Sequence, residues 1–486
     1  MITEKPDGRI TIRNYLIKVR ISFQPYDNGL CHRDKYLKNK AMKKRFTPSP
    51  NPKAVSLQLF IFISLLFVIS YIAGGCTDNC EVESEYTYME PVYTSVEDLR
   101  SSVDIIGPQE MKQAGKIFFK DNLLYINEPN EGIHVIDNAD PSNPEAVAFI
   151  KVPGSFDLAV KGNVLFTDSY IDLVAIDISD LNAAEEIGRL EDIFDHYNSY
   201  GFYTDPQRGV VTDWQEVGSV KVFESDCEGG IQPWGGVYHD EGLALRSSAS
   251  FDAALAVAPS NPGIGGSMAR FALSGDYLYI IDMSDLQSVD VTQPTAMTMG
   301  TEVHVDWGIE TIFPNGDVLF IGAQAGMHIM DISNPLNPSQ ISTYRHVTSC
   351  DPVIVDGDFA FVTLRSGTEC QGFTNQLEVI DIADLSSPQL LHVYAMDNPH
   401  GLGKDGDALF VCDGDSGLKV YNASDVSTID KNELAHYQDI QAFDVIPFNN
   451  VAMMIGEDGL YQYDYSDLND IKLLSHIEVK TPDVND

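Results

Sequence analysis

Cysteine and tryptophan are scarce in this sequence, with 7 and 3 in 486 residues. No two cysteines form a C-x-x-C pair, so zinc-ribbon and thioredoxin-type chemistry has no support. G-x-S-x-G, H-E-x-x-H, phosphate-loop and dinucleotide fingerprints are all missing, which counts against the familiar enzyme classes they mark. Basic residues are also few after residue 75. From Cys76 onward 18 Lys and Arg face 68 Asp and Glu, a formal charge of −50, whereas residues 1–75 hold 13 basic against 4 acidic residues. A body of that sign repels nucleic acid and anionic membrane, and suits an aqueous, cation-rich exterior. Helical periodicity is weak throughout, and long apolar runs are confined to one place.

That place follows "KKR" at 43–45. The stretch "LQLFIFISLLFVISYIAGGC" ends at Cys76 and contains an apolar run of about 16 residues, short for a membrane span and right for a secretory signal with small residues at its cleavage site. An uncleaved anchor is the alternative. With Cys directly after "AGG", the segment resembles a bacterial lipoprotein signal. The resemblance implies a signal at 42–75, lipid on Cys76, and an acidic tether and lead-in over 76–111, beginning "TDNCEVESEYTYMEP" after the cysteine. Residues 1–41 fit no part of this scheme. They are expected to precede the true start at Met42 and to be unstructured.

Export permits disulfides. Apart from Cys31 and Cys76, five cysteines remain, Cys80, Cys227, Cys350, Cys370 and Cys412, an odd number that leaves one thiol over within the monomer. Cys350 and Cys370, at the two ends of one repeat, are the expected pair.

Repetition dominates what is present. "GIHVIDNADPSNP" at 132–144 returns as "GMHIMDISNPLNP" at 326–338, and shorter copies are "DLVAIDISDL", "DLQSVDVTQP", "QLEVIDIADLSSP", "GLKVYNASD" and "GLYQYDYSDL". The residues closing the seven apolar runs are Asp137, Asp177, Asp290, Asp331, Asp381, Asn422 and Asp464. Their spacing defines a unit of about 40 residues, with one insertion over 195–267. Inside each unit, two short apolar stretches flank a turn pair such as "KGN", "NGD" or "DGD", the phrase itself follows, and a fourth stretch ends the unit. This reads as a four-stranded meander. The closing Asp suits an Asx-turn, in which its carboxylate accepts backbone N–H groups two or three residues on.

A lone meander cannot bury both faces, so seven must stack. The fold class expected is all-β: a seven-bladed β-propeller over 112–480, with an aromatic-containing insertion between blades 2 and 3 and a tail at 481–486; an open solenoid is the runner-up. Blades are expected near 112–152, 153–193, 268–306, 307–349, 350–397, 398–440 and 441–480.

The phrases "LVAIDIS", "DPSNP", "PHGLG" and "LFVCDG" resemble the LVIVD-repeat lipoproteins of Bacteroidetes-type bacteria, and the likeness covers essentially everything after Cys76. It implies an envelope-bound propeller and implies no reaction. Asn422 departs from the pattern, and 195–267 matches no repeat.

Propeller ligands usually sit where the innermost strands begin. Lys116, Asp157, Arg270, Glu310, Asp351, His400 and Asp444 are expected at those positions. Among them Asp157, Asp351, His400 and Asp444 form a possible channel ligand site, with a divalent cation as one candidate occupant; capping of loop amides is the plainer use of the same residues. "CDGDSG" at 412–417 starts like a calcium loop, but Gly417 and the missing acid at the twelfth place make it a tight turn. Trp214 and Trp234 in the insertion suit either a plug over one face or a surface for a protein or glycan. The expected function is an envelope-anchored binding or scaffold module, as an outer-membrane lipoprotein that faces the periplasm or the exterior, with no cofactor, no nucleic acid and no assigned catalytic residue. A propeller-type lyase or hydrolase with a channel-mouth metal is the alternative.

Overall fold

The computed structural model describes residues 2–4, 10–12, 16–21, 82–194, 204–224, 264–347, 352–366 and 374–480. The chain divides into two units. Unit 1, Met1–Glu90 with Trp214–Tyr238, contributes strand backbone: Ile2–Glu4 pairs with Ile10–Ile12, and Leu16–Ile21 pairs antiparallel with Ser84–Met89. Unit 2, Pro91–Asp213 with His239–Asp486, holds all seven repeats.

Unit 2 is an all-β, seven-bladed propeller of four-stranded antiparallel meanders. The first strands, nearest the channel, are Ile117–Lys120, Leu158–Lys161, Phe271–Ser274, Ile309–Asn315, Val353–Asp356, Leu402–Asp405 and Ala442–Phe448. The repeated phrase is the third strand: Gly132–Asp137, Asp172–Asp177, Asp285–Asp290, Gly326–Asp331, Gln376–Asp381, Leu418–Asn422 and Gly459–Asp464. Turns between first and second strands require positive φ. Gly162, Gly275, Gly316, Gly357 and Gly406 supply it in blades 2 to 6, and the pairs Asp121–Asn122 and Asn449–Asn450 in blades 1 and 7, as tight hairpins demand.

Each closing residue makes its Asx-turn. The side-chain Oδ1 accepts the N–H two residues on, at 2.8–3.0 Å, from Ala139, Ser179, Thr292, Ser333, Ala383, Ser424 and Ser466. In six blades the register between third and fourth strands shifts by one residue just before that turn, a bulge that strengthens the local twist. Blade 3 differs. Its fourth strand breaks into Thr298–Met299 and Val303–His304 around Gly300, where a Cβ would lie 2.5 Å from the Leu336 carbonyl of blade 4.

Blade 1 carries two extra strands, Ile264–Gly265 on its channel edge and Asp104–Ile106 on its outer edge. The lead-in to it contains helix α1, Val96–Arg100, capped by Ser95 Oγ accepting from Asp98 N. Blades 1 and 7 share no strand, so the ring closes through side chains and one backbone bond. Asn138 and Gln462 exchange reciprocal amide hydrogen bonds at 2.8 and 2.7 Å, Ser475 Oγ donates to the Pro141 carbonyl at 2.7 Å, and Lys480 N donates to the Met111 carbonyl at 2.7 Å. Around these an apolar cluster joins Ile117, Leu124 and Ile136 to Ile446, Met453 and Leu460.

Candidate functional site: the channel end and its plug

The insertion returns to the ring by entering the channel. After Ile264–Gly265, residues 266–269 are buried, and four blades besides blade 1 reach them or the next residue. Lys116 Nζ of blade 1 donates to the Met268 carbonyl at 3.1 Å, and Ile312 N of blade 4 to the Ala269 carbonyl at 2.8 Å. Leu402 N of blade 6 donates to Ser267 Oγ at 2.8 Å, and Ser267 Oγ donates to Asp444 Oδ1 of blade 7 at 3.1 Å. Asp157 Oδ2 of blade 2 accepts Arg270 N at 2.5 Å and Phe271 N at 3.3 Å. Thus 264–270 plugs the channel at the end where the first strands begin.

Asp157 and Asp444 therefore serve this plug. Asp157, 3 % exposed, has its pKa pushed up by burial and drawn back by Lys116, whose Nζ is 3.7 Å away, and by backbone N–H donors. Asp444 is 1 % exposed, and its Oδ2 has no hydrogen-bond partner among the described residues. Burial raises its pKa to about 7, against the pull of the Val445 amide, Ser267 and Lys116. Gly401 makes this fit possible, because a Cβ there would lie 2.1 Å from Asp444 Oδ1. His400 precedes it in the chain, but its ring belongs to another group: Nε2 is 3.3 Å from Arg365 Nη1 and 3.4 Å from Asn398 Nδ2, and the ring centroid is 5.5 Å from that of Phe443. Burial, helped by Arg365, holds the imidazole well below its usual pKa and hence neutral. Asp351 lies outside the described residues, as do Cys76, Cys350 and Cys370. Among the described residues no three His, Cys, Asp or Glu side chains are grouped to hold a metal ion.

The turn at 413–417 is filled by its own chain. Asp413 accepts from Asn398 N at 2.7 Å and from Lys419 Nζ at 2.5 Å. Neighbouring Cys412 is a buried free thiol, its pKa raised by burial and by Asp444 and Asp413, which leaves it unreactive.

Sequence reasoning missed a ring of buried polar groups at the third place of the phrase: His134, Gln287, His328, Glu378, Lys419 and Tyr461, with Val174 the apolar member. Their partners lie either in the same blade, as Glu128 does for His134 at 2.7 Å, or across the seam from the preceding blade, as Tyr344 Oη does for Glu378 at 2.9 Å and the Ile193 carbonyl for Gln287 at 2.9 Å. The signal was a polar letter recurring inside an otherwise apolar strand.

One exposed feature shares the plugged end. Trp307, 66 % exposed, lies between blades 3 and 4 beside Met283, 41 % exposed and held at φ 47°. Its loop is fastened by Val305 N to the Ser284 carbonyl, Gly308 N to the Met283 carbonyl and Gln324 N to the Gly308 carbonyl, at 2.9, 2.9 and 3.0 Å.

The LVIVD repeat family matches residues 265–305, 312–346 and 349–396, which span blades 3, 4 and 5. These three blades match the LVIVD repeat. No curated protein matches the chain. Solved structures similar to it include a computationally designed protein, Ika8, 10 % identical over 77 % of this chain and 91 % of that one with a TM-score of 0.44. Two others are BamB from Moraxella catarrhalis, 8 % identical over 77 % and 96 % with a TM-score of 0.42, and Saccharomyces cerevisiae Sqt1, 10 % identical over 76 % and 96 % with a TM-score of 0.41. A propeller built on LVIVD repeats fits a binding or scaffold module.

Proposed function

We propose that this protein is a propeller lipoprotein of the cell envelope, held by lipid on Cys76, that binds a protein or glycan on the face where its first strands begin. Trp307 carries the reading. A solvent-facing indole on a loop already fixed by backbone hydrogen bonds is an anchor that binding need not order, and buried aromatic anchors dominate interface energetics. The acidic body turns such a face away from nucleic acid and anionic lipid.

Two measurements test it. A photo-crosslinking residue placed at 307 is expected to give a discrete adduct in intact cells, and one at exposed Leu473 is not; equal labelling from both positions would remove the assigned face. The Cys76→Ala variant is expected to leave the membrane fraction, and its retention there would remove the anchor. Mass analysis without reduction is expected to find Cys350 joined to Cys370, a link that contributes about 3 kcal/mol through loop entropy.

A cation at the channel end, the enzyme alternative included, is the second reading, favoured by the unpartnered Oδ2 of Asp444 near Asp157. Asp351 completes that proposed set, and His400 joins it only by turning its ring from Arg365 and Asn398. An ion there must compete with Lys116. Ca²⁺ or a transition metal at about 100 times its Kd should then add about 2.7 kcal/mol of stability, lost in the Asp351→Ala, His400→Ala double variant; an unmoved Tm ends this reading and leaves the binding module standing.

A further inference from the structure

A tyrosine of the fourth strand crosses three of the seams between blades. It stands in register with Met327, Leu377 and Leu418 of the third strands. Tyr344 Oη donates to Glu378 Oε2 of the next blade at 2.9 Å, Tyr394 Oη to the Val426 carbonyl at 2.5 Å, and Tyr437 Oη to the Ile471 carbonyl at 2.9 Å. In blades 7, 1 and 2 the same register position holds Ile477, Ile150 and Leu190. Two of these positions are compensated. Ile105, on the strand added to blade 1, is paired with Ile150 and packs in the same apolar cluster. Past Leu190 the chain lays Ile193 and Phe194 into that cluster, and the Ile193 carbonyl accepts from Gln287 at 2.9 Å. At Ile477, between blades 7 and 1, a cavity of about 460 Å³ opens instead.

Met111, Ile136, Ala146 and Ile477 supply apolar lining. The buried polar group in the wall is His134, 2 % exposed, with Nε2 held 2.7 Å from Glu128 Oε2 and its ring against Phe149 at 4.7 Å. In the repeat, His134 occupies the place of Glu378, the group that accepts the Tyr344 hydroxyl. The cavity volume falls within the ~300–1,000 Å³ of small-molecule sites. Gln109, Glu110, His476, Glu478 and Lys480 line its solvent-facing side, and the apolar part, with His134 as the one buried polar group, suits a ring bearing one hydroxyl.

We infer that this cavity binds a phenolic ring, from a small phenol or from a tyrosine side chain of a partner, seated where the repeat's own tyrosine is missing, with its hydroxyl on His134. The site lies between blades 7 and 1, whereas Trp307 lies between blades 3 and 4, and it does not depend on that residue. Ligand-detected NMR on the full-length protein, with p-cresol, toluene and N-acetyltyrosinamide as probes, tests the inference. We expect p-cresol to bind about tenfold more tightly than toluene, equivalent to about 1.4 kcal/mol, because a hydroxyl left without its partner is penalised. Ile477→Tyr should fill the cavity, raise the Tm and weaken p-cresol at least about tenfold. Ala146→Leu narrows the cavity from the opposite wall and carries the test if the tyrosine variant folds poorly. Trp307→Ala should bind p-cresol as the wild type does. Binding of N-acetyltyrosinamide as well as p-cresol assigns the site to a tyrosine side chain, and p-cresol alone assigns it to a free phenol. The inference is overturned if neither phenol binds at about 1 mM, if toluene binds equally well, or if both cavity variants keep wild-type affinity.

Discussion

The carboxyl group of Asp444 is held at the centre of the ring by one serine hydroxyl and two backbone neighbours, with one oxygen unanswered among the described residues. Its folded pKa of about 7 stands above the ordinary value of 3.8, so over that interval the unfolded chain has lost the proton and the folded protein keeps it. Stability therefore falls as pH rises from about 4 to about 7 and is level beyond. Asp168, half-buried and raised to about 6, contributes with the same sign over a narrower range. Asp444→Asn keeps an acceptor for Ser267 without the charge. Chemical denaturation should show it more stable than the wild type at pH 8, by about 1–3 kcal/mol, with the difference vanishing by pH 4. An unchanged difference across that range would mean that the carboxyl is ionised throughout.

Among the elements, the third strand with its Asx-turn is the most regular, and the turn depends on an acceptor rather than on a charge. Blade 6 makes the point, since Asn422 Oδ1 accepts Ser424 N at 3.0 Å as the six aspartates do in their blades. Asp331→Asn is accordingly expected to leave the Tm unchanged and Asp331→Ala to lower it, which differential scanning fluorimetry reads directly. This element was legible in the sequence, because apolar alternation, a turn residue and a repeat of fixed length are local signals, and seven copies reinforce one another. The ends of the first strands were legible for the same reason, which placed Lys116, Asp157 and Asp444 near the channel. What the side chains do there was not. The segment 264–270 contributes only the two-residue strand Ile264–Gly265 and carries no periodicity, so nothing local announced that it would enter the channel and claim Asp157 and Asp444. The direction of the His400 ring depends on Arg365, 35 residues away, and the phrase "PHGLG" holds no trace of that partner. The interruption of blade 3 at Gly300 likewise comes from a contact with Leu336 in the next blade.

In the whole molecule, closure rests on the seam between blades 1 and 7, where no strand crosses and the Asn138–Gln462 pair is buried at 5 % and 0 % exposure. A double-mutant cycle with Asn138→Ala and Gln462→Ala is expected to give a coupling of about 0.5–3 kcal/mol, each single variant being the worse for stranding its partner's amide. Additive effects would shift the weight of closure to the apolar cluster alone. The same pair is separated by 324 residues along the chain. At roughly 5–20 residues per second, a ribosome needs about 20–60 s to pass from one to the other. For most of that interval blade 1 is already made, while the strands that will cover its closing face do not yet exist. The face is apolar, through Ile117, Leu124 and Ile136, and unpaired β-surface of this kind is what newly made chains aggregate through. The last blade to be synthesised thus ends the exposure of the first, and the dangerous period of this protein's life is set by the clock of translation rather than by the stability of the finished ring.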